Sequence, residues 1–299
     1  MNCPICKNIN TQFIYKFVDG PTMQNKLHLN FKSALKEKLA VVNLCGCNKC
    51  GFVFNTAFNK KNTEYSSIYD NTQDNSKYFQ SYLIKLAKRL NKKYQLSNKK
   101  VVEVGCGKGH FIKILYNLGV KKIKGYDPSY LNYDQFIDKL VTKEFFNEKN
   151  INKKADFIIC RHVLEHIQKP SQFITSIEKC LANNGVIYFE FPDLEWIIKN
   201  EAFFDFFYEH CNYFSKKSLL YLFSRLGLKN IVFSYGLNGQ YFQVEISRNT
   251  SNNIKKIDPV NFDNISRFIN KKIKYYKKIT TEIKNFIIWG GGGKGGNIS

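Results

Sequence analysis

Residues 101–111 are Val101-Val102-Glu103-Val104-Gly105-Cys106-Gly107-Lys108-Gly109-His110-Phe111, and this stretch decides the fold. Its three valines favour a buried strand, because β-branched side chains pack well on a pleated sheet. Its three glycines allow a sharp turn and let a ligand lie against backbone that carries no Cβ. The residues from Phe111 to Tyr116 then have the apolar spacing of a helix. We therefore predict a strand, a glycine turn and a helix whose free N–H groups favour a negatively charged group.

The spacing of the glycines indicates which ligand the turn binds. A dinucleotide-binding fold uses G-x-G-x-x-G, whereas Gly105, Gly107 and Gly109 are spaced G-x-G-x-G. Glu103 precedes the first glycine by two positions, and a second apolar strand ends at Asp127, where a carboxylate can accept hydrogen bonds from ribose hydroxyls. The pattern resembles the S-adenosylmethionine site of the Rossmann-like methyltransferases. The alternative is an ordinary tight turn between a strand and a helix that binds no ligand.

Strands and helices alternate along the rest of the chain. The sequence predicts helices over 82–94, 133–140, 170–181 and 214–226, strands over 123–126, 155–160, 185–191, 231–235 and 241–246, and a turn at 183–185. This alternation predicts an α/β fold with a mostly parallel sheet, in which ligands gather at the carboxyl ends of the strands. Gly105, Asp127 and the segments 161–166 and 191–193 all lie at such ends. We therefore expect Arg161 to line the cofactor site.

The composition narrows the class of protein. The chain of 299 residues is 43% hydrophobic, which supports a sizeable core, and its net charge is +22. Such a charge can attract nucleic acid, an anionic membrane or a small anionic substrate. The lysines are spread rather than clustered, however, so we interpret them as ordinary surface residues and do not expect nucleic acid as a partner. The sequence shows neither an apolar run of 18 residues nor a signal peptide, so we expect a cytoplasmic protein without a membrane span. We expect a monomer, although no motif in the sequence determines the oligomeric state.

Two C-x2-C pairs suggest a metal site near the N-terminus. Cys3 with Cys6 and Cys47 with Cys50 can supply four thiolates to one tetrahedral zinc, and Cys45 lies close enough to replace Cys47. A redox role is the alternative, but no thioredoxin-like βαβ pattern surrounds either pair. Because four sulfurs fill the coordination shell, the zinc would be structural. It would stabilise a module that is too small to build its own core.

These features divide the chain into four parts. We predict a zinc-binding module at 1–57, a linker and helical lead-in at 58–97, and a cofactor-binding domain at 98–250. Residues 251–299 contain a long amphipathic helix over 262–287, whose lysine-rich face we interpret as solvated. The run from Phe286 to Gly295 suggests a strand that enters a glycine loop. We interpret it as the start of an incomplete C-terminal α/β domain.

A second group of polar residues precedes the helix at 214. Glu209 and His210 are adjacent in sequence, and aromatic residues flank them. Histidine titrates near neutral pH, and a neighbouring carboxylate raises its basicity. The pair could therefore remove a proton from a carbon next to a ketone. The alternative is a hydrogen-bonded histidine at the capped start of a helix.

The order of these motifs resembles that of the zinc-containing deoxysugar C-methyltransferases. The resemblance rests on the C-x2-C pairs, the glycine turn, His166 after the fourth strand, the Glu209–His210 pair and the terminal Gly/Lys loop. It covers nearly the whole chain, apart from a missing C-terminal domain. It implies that His210 takes the proton beside the ketone of a nucleotide-linked keto-deoxysugar, and that Tyr69, Glu209 and His166 line the pocket. The family usually has a tyrosine where this chain has Phe207.

Three other functions stay open from the sequence. One is O- or N-methylation of a sugar or small metabolite, in which His210 would deprotonate a hydroxyl group. Another is a zinc-knuckle nucleic-acid-binding protein, suggested by the charge of +22. The third is a truncated, inactive product that binds only the cofactor.

Overall fold

A computed structural model gives the fold of residues 2–24, 26, 28–63, 76–131, 134–150, 154–247 and 260–283. Within these residues, no helix combines the length and apolar character that a membrane crossing requires. Tyr69 and the predicted glycine-rich end at 289–295 lie outside the described residues.

The described residues form eleven strands and seven α-helices. The strands are β1 (Thr11–Pro21), β2 (Leu39–Cys47), β3 (Val53–Asn55), β4 (Val101–Val104), β5 (Ile123–Tyr126), β6 (Val141–Thr142), β7 (Ala155–Arg161), β8 (Leu181–Pro192), β9 (Asn212–Tyr213), β10 (Asn230–Gly236) and β11 (Tyr241–Ser247). The helices are α1 (Phe31–Ala34), α2 (Lys77–Tyr94), α3 (His110–Asn117), α4 (Pro170–Lys179), α5 (Leu194–Lys199), α6 (Lys216–Arg225) and α7 (Phe262–Glu282).

Seven of the strands form a large, mostly parallel sheet. Its order is β6-β5-β4-β7-β8-β11-β10. The pairs from β6 to β8 are parallel, and β11 runs antiparallel to both β8 and β10. The chain proceeds from β4 outward to β6, and then returns to the other side of β4 at β7. Such a reversal of strand order opens a crevice at the carboxyl ends of the strands, so the predicted Rossmann-like sheet is confirmed.

Strand β4 is buried on both faces. Val102 and Val104 pack in one hydrophobic cluster and Val101 in another, as expected when successive side chains point to opposite faces. Helices α2 and α3 cover the Val101 face, and α4 and α6 cover the other face. The sheet is therefore the middle of three layers, and Glu103 points toward the layer that contains α3.

A smaller antiparallel sheet contains the N-terminal strands in the order β1-β2-β3-β9. Its last strand comes from a distant part of the chain, because Val53 pairs with Tyr213 and Phe54 with Asn212. Helix α7 packs its apolar stripe against this sheet, and the ring of Phe262 fills the space that a Cβ at Gly46 would need. The predicted division of the chain after residues 57, 97 and 250 stays a prediction.

Three predicted elements differ from the observed ones. The predicted helix over 133–140 is a 3-10 turn at Ile137–Lys139, because Asp134 accepts hydrogen bonds from the backbone N–H groups of Phe136 and Ile137 and closes a short turn (Tyr133 lies outside the described residues). The predicted turn at 183–185 lies within β8, where the register against β7 shifts and accommodates extra residues. The amphipathic helix ends at Glu282, and residues from 284 onward are not described.

Candidate active site

The glycine turn after β4 is confirmed, and its shape depends on positive φ angles. The φ values are 70° at Gly105, 52° at Gly107 and 76° at Gly109, a region that side chains with a Cβ rarely adopt. A Cβ at Gly105 would clash with the side chain of Val163, and one at Gly109 would lie 2.5 Å from Cγ2 of Ile137. Protein packing therefore requires glycine at two positions where the sequence analysis expected ligand contact.

Asp127 connects the end of β5 to the glycine turn. Its Oδ2 accepts a hydrogen bond from the backbone N–H of Gly107 over 2.8 Å, and its Oδ1 accepts from the N–H and the hydroxyl of Ser129 over 2.8 and 2.6 Å. Each carboxylate oxygen has two lone pairs, so Asp127 can still accept a hydrogen bond from a ligand. It fixes the shape of the turn before any ligand arrives.

Glu103 lies beneath this turn and is buried, with 2% of its surface exposed. Burial raises the pKa of its carboxyl to about 8, although the charge of Arg161 opposes the shift. Within the described residues, its Oε2 accepts no hydrogen bond. A buried oxygen without a donor is costly, and a ligand that brings a positive charge or a donor removes that cost. Glu103 can therefore hold the cationic part of a cofactor.

Arg161 lies at the carboxyl end of β7 and forms an ion pair that the sequence analysis missed. Its Nη2 lies 2.9 Å from Oε1 of Glu190, which is fully buried in β8, and its Nε donates to the same oxygen over 3.0 Å. Burial alone would raise the pKa of the Glu190 carboxyl, but Arg161 and His162 hold this pKa below its usual range. The hydroxyls of Tyr82 and Tyr188 donate to the other oxygen.

This ion pair has a consequence for the predicted role of Arg161. Its guanidinium is engaged with Glu190 and stacks over the ring of Phe111, 4.6 Å from the ring centroid. A direct contact of Arg161 with a cofactor stays a prediction. The one sequence signal for Glu190 was a lone carboxylate within the apolar run at 185–191.

His166 and His210 meet although they are 44 positions apart in sequence. Their ring centroids are 4.9 Å apart in an edge-to-face arrangement, and Nδ1 of His166 lies 3.0 Å from the backbone oxygen of Glu209. The ring of Phe207 packs on His210 with a centroid distance of 3.9 Å. Glu209 and His210 are adjacent in sequence and both are buried. Because His166 contacts His210, the structure brings together three of the four predicted catalytic residues. Tyr69, the fourth, is not described.

The N-terminal sheet holds the loop that carries Glu209 and His210. Strand β9 follows this loop directly and pairs with β3. The hydroxyl of Tyr208 accepts hydrogen bonds from the backbone N–H of Asn59 over 2.9 Å and from Nδ2 of Asn62 over 2.8 Å. The loop is therefore fixed from a part of the chain about 150 residues earlier, which the sequence pattern did not reveal.

Segment 161–166 joins the two halves of the site. The side chain of Val163 packs against Gly105 in the glycine turn, and the ring of His166 contacts that of His210. The predicted cofactor residues and the predicted catalytic residues therefore flank one short segment. An arrangement of this kind can bring a bound cofactor and a second reactant together.

The four cysteines predicted to bind metal also converge. The Sγ atoms of Cys3, Cys6, Cys47 and Cys50 lie within 4.8 Å of one another, and all four residues are buried and free of disulfides. The closest pairs are 3.6 Å (Cys3–Cys50) and 3.3 Å (Cys6–Cys47), near the sulfur–sulfur distance of about 3.8 Å in a tetrahedral zinc–thiolate site. Cys45 is not part of this cluster, so the four-thiol set contains Cys47.

A family model and several curated relatives match parts of the chain. Residues 75–232 match the family model described as a methyltransferase domain. A segment of 104 residues is 29% identical to the tRNA U34 carboxymethyltransferase of Campylobacter hominis, covering 32% of this chain and 36% of that protein. A segment of 113 residues is 30% identical to the ubiquinone biosynthesis O-methyltransferase of Pasteurella multocida, covering 31% and 46%. The chain thus spans less than half the length of these curated relatives.

Solved structures of methyltransferases are similar to part of the chain. The magnesium protoporphyrin IX methyltransferase of Synechocystis PCC 6803 has a TM-score of 0.44 at 17% identity and covers 57% of this chain and 84% of that one. A SAM-dependent methyltransferase of Thermotoga maritima, described as a possible histamine N-methyltransferase, has a TM-score of 0.40 at 18% identity and covers 57% and 95%. The fold described above rests on the observed strand order rather than on these similarities.

Proposed function

The chain belongs to the methyltransferase domain family, and from this premise we propose that it transfers the methyl group of S-adenosylmethionine to a carbon of a nucleotide-linked keto-deoxysugar. The observation that carries this proposal is that His166 contacts His210 and belongs to the segment 161–166, which also packs against the glycine turn. A base next to a cofactor site is what methylation beside a ketone requires. The motif order described in the sequence analysis supplies the choice of substrate.

The cofactor would be held by residues around the glycine turn. Glu103 has a buried oxygen without a donor among the described residues, which fits the positive charge of S-adenosylmethionine. Oδ2 of Asp127 retains one lone pair for a ribose hydroxyl, and the N-terminus of α3 favours the carboxylate. When bound, this cofactor supplies an electrophilic methyl group. The remaining positions that we assign to the same site are Gly105, Gly107, Gly109 and Arg161.

His210 acts as the base in the proposed reaction. It would remove a proton from the carbon beside the sugar ketone, so that the electron pair of the broken C–H bond forms an enolate. The enolate carbon would take the methyl group of the cofactor, whose C–S bond would break to release the neutral thioether S-adenosylhomocysteine. His166 directs its Nδ1 at the backbone oxygen of Glu209, so that Nε2 is an acceptor for a sugar hydroxyl. Glu209 holds the loop in place through its contact with Gln24. Tyr69 is the fourth residue that we assign to this pocket.

We further propose that the four converging thiols bind a structural zinc ion. Four thiolates saturate a tetrahedral zinc and leave no open position for a substrate. The site lies in the same hydrophobic cluster as Phe214, which follows β9. Zinc would therefore stabilise the sheet that supports the catalytic loop. Nine free cysteines suit a reducing compartment, and we propose a cytoplasmic monomer.

A different acceptor is the second candidate. The curated relatives that match a third of the chain are named as an O-methyltransferase of ubiquinone biosynthesis and a carboxymethyltransferase of tRNA. In an O- or N-methyltransferase, His210 would deprotonate a heteroatom, and no ketone would be needed. The lysines of α7 would then be a candidate surface for an RNA substrate.

Two experiments test the proposed function. Calorimetry with S-adenosylmethionine and with NAD tests the cofactor, and we expect binding of the first alone, weakened by Asp127→Asn. Incubation of keto-sugar nucleotides in D2O without cofactor tests the base. We expect exchange of the C–H beside the ketone in the wild type and in His28→Gln, and at least about 100-fold slower exchange in His210→Gln. Label from S-adenosylmethionine that arrives on oxygen or nitrogen would overturn C-methylation.

A further inference from the structure

We propose that Glu165, His166 and His210 form a second metal site, which takes a divalent transition-metal ion and blocks the base when it is filled. One carboxylate oxygen and one ring nitrogen from each histidine lie within 4.8 Å of one another. The inhibitory part of this inference rests on the proposed function, because it needs His210 to be the base. The binding part depends only on the three side chains.

The donor set suits a particular class of ion. Two imidazoles and one carboxylate bind zinc, cobalt, manganese or ferrous iron, whereas calcium and magnesium prefer oxygen ligands. Donors at about 2.1 Å from a tetrahedral ion are about 3.4 Å apart, so the three side chains must close slightly by rotating. With three protein ligands, at least one coordination position stays open to water.

The surroundings of His166 match those of a metal ligand. Metal-binding histidines commonly donate their other ring N–H to a backbone carbonyl or a carboxylate, which fixes the tautomer and the orientation of the ring. Nδ1 of His166 lies 3.0 Å from the backbone oxygen of Glu209. With the proton on Nδ1, the lone pair that can coordinate an ion is on Nε2.

Glu165 provides an independent reason to expect a cation. Only 2% of its surface is exposed, and within the described residues its Oε2 has no hydrogen-bond partner. Its Oε1 lies 3.5 Å from Nδ1 of His162, and its backbone oxygen accepts from Sγ of Cys211 over 3.5 Å. The carboxylate is therefore held in a buried position with one oxygen unsatisfied. A positive ion between it and the two imidazoles removes this cost.

Metal binding and base catalysis compete for the same atoms. A ring nitrogen of His210 that coordinates an ion cannot accept a proton, so a filled site cannot form the enolate. The ion would also occupy the space beside His166 that we assign to the sugar. We therefore expect micromolar zinc to inhibit methyl transfer and the acceptor to relieve this inhibition.

Cobalt titration of the full-length, zinc-loaded protein tests the site without an activity assay. We expect one added equivalent of Co²⁺ with visible d–d bands and without the sulfur-to-cobalt bands that the cysteine site would give. His166→Gln and the isosteric Glu165→Gln should each weaken this binding at least about 10-fold. His28→Gln, at a histidine between β1 and α1, should not change it. Zinc retention and the circular-dichroism spectrum show whether each variant folds.

The outcomes separate this inference from the proposed function. No added cobalt, or equal binding by the wild type and a folded His166→Gln, overturns the metal site. Cobalt binding that both variants lose, in a protein that methylates no acceptor, supports the metal site and contradicts the proposed function. Methyl transfer that saturating zinc leaves unchanged overturns the inhibitory role.

Discussion

The backbone N–H of Gln24 donates a hydrogen bond to Oε2 of Glu209 over 2.7 Å, although 185 residues separate them. Through this contact, the N-terminal segment lies directly against the pocket residue Glu209. It acts together with the pairing of β3 with β9 and with the hydrogen bonds to Tyr208. The N-terminal sheet therefore helps to support the candidate active site. We expect loss of metal from the four-cysteine site to disturb the candidate active site.

Loss of a cysteine ligand should destabilise the protein and reduce activity together. We expect Cys47→Ser to lose its bound metal and to lower the free energy of unfolding by on the order of 4–5 kcal/mol, because a structural metal contributes folding energy directly. Metal analysis and denaturant unfolding measure both effects. Cys45→Ser is the matched control, since Cys45 lies outside the four-thiol cluster. Equal metal loss in the two variants would contradict this assignment.

Gly105→Ala should lower the free energy of unfolding by more than a positive φ alone explains. The new methyl group would meet the side chain of Val163, whereas Gly227 has a similar φ of 74° with nothing within 4 Å of the Cβ position. We expect Gly227→Ala to destabilise the protein by about 1 kcal/mol. Gly105→Ala should destabilise it by about 1–3 kcal/mol more, because the added methyl group overpacks the site. Chemical denaturation measures both.

The double variant Gly105→Ala with Val163→Ala checks the cause of that difference. Removing the Val163 methyl groups should recover most of the additional cost, so the two substitutions should be strongly non-additive. Additive effects would mean that Val163 is not the obstacle.

Glu103 should make stability and cofactor binding depend on pH. Its folded-state pKa, about 8, lies above the ordinary value of 4.5. The folded state therefore binds this proton more tightly than the unfolded chain does. Stability falls as the pH rises from the unfolded value through about 8, by up to a few kcal/mol. Glu103→Gln should remove this fall and should be more stable than the wild type at pH 9, as measured by urea unfolding.

The affinity for the cofactor should change with pH in the opposite direction to the stability. If Glu103 holds a cationic group, the affinity for S-adenosylmethionine should increase as the pH rises through 8 and the carboxyl ionises. Glu103→Gln should bind weakly at every pH. Glu282→Gln, at an exposed carboxylate, is the control for both measurements. If Glu103→Gln keeps a pronounced pH dependence, a group other than Glu103 causes it.

Tyr208→Phe should loosen the catalytic loop. The substitution removes the hydroxyl that accepts from Asn59 and Asn62. Leaving buried donors unsatisfied costs about 1–3 kcal/mol, and we expect kcat to fall more than KM rises because the loop carries the base. Unfolding experiments and steady-state kinetics measure the two effects. Tyr275→Phe, at a tyrosine that is 57% exposed, should behave as the wild type.

Local sequence signals predicted the elements that short-range physics controls. The valines and glycines of 101–109 predicted the strand and the turn. The helix predicted over 214–226 corresponds to α6, which Ser215 caps by accepting from the N–H of Ser218. The helix expected at 133–140 was wrong, because the Asp134 side chain offers the backbone an alternative to helical hydrogen bonds. Periodicity alone does not report such competition.

The sequence by itself determined the class of fold, the glycine turn and the chemical types of the site residues, since strand propensity, turn geometry and donor chemistry belong to residues and their near neighbours. Only the tertiary structure decided which residues meet. It joined Arg161 to Glu190, His166 to His210 and β9 to β3, and it selected Cys47 over Cys45. These choices depend on how distant strands pair and pack, because burial and hydrogen bonding act between surfaces that no local pattern specifies.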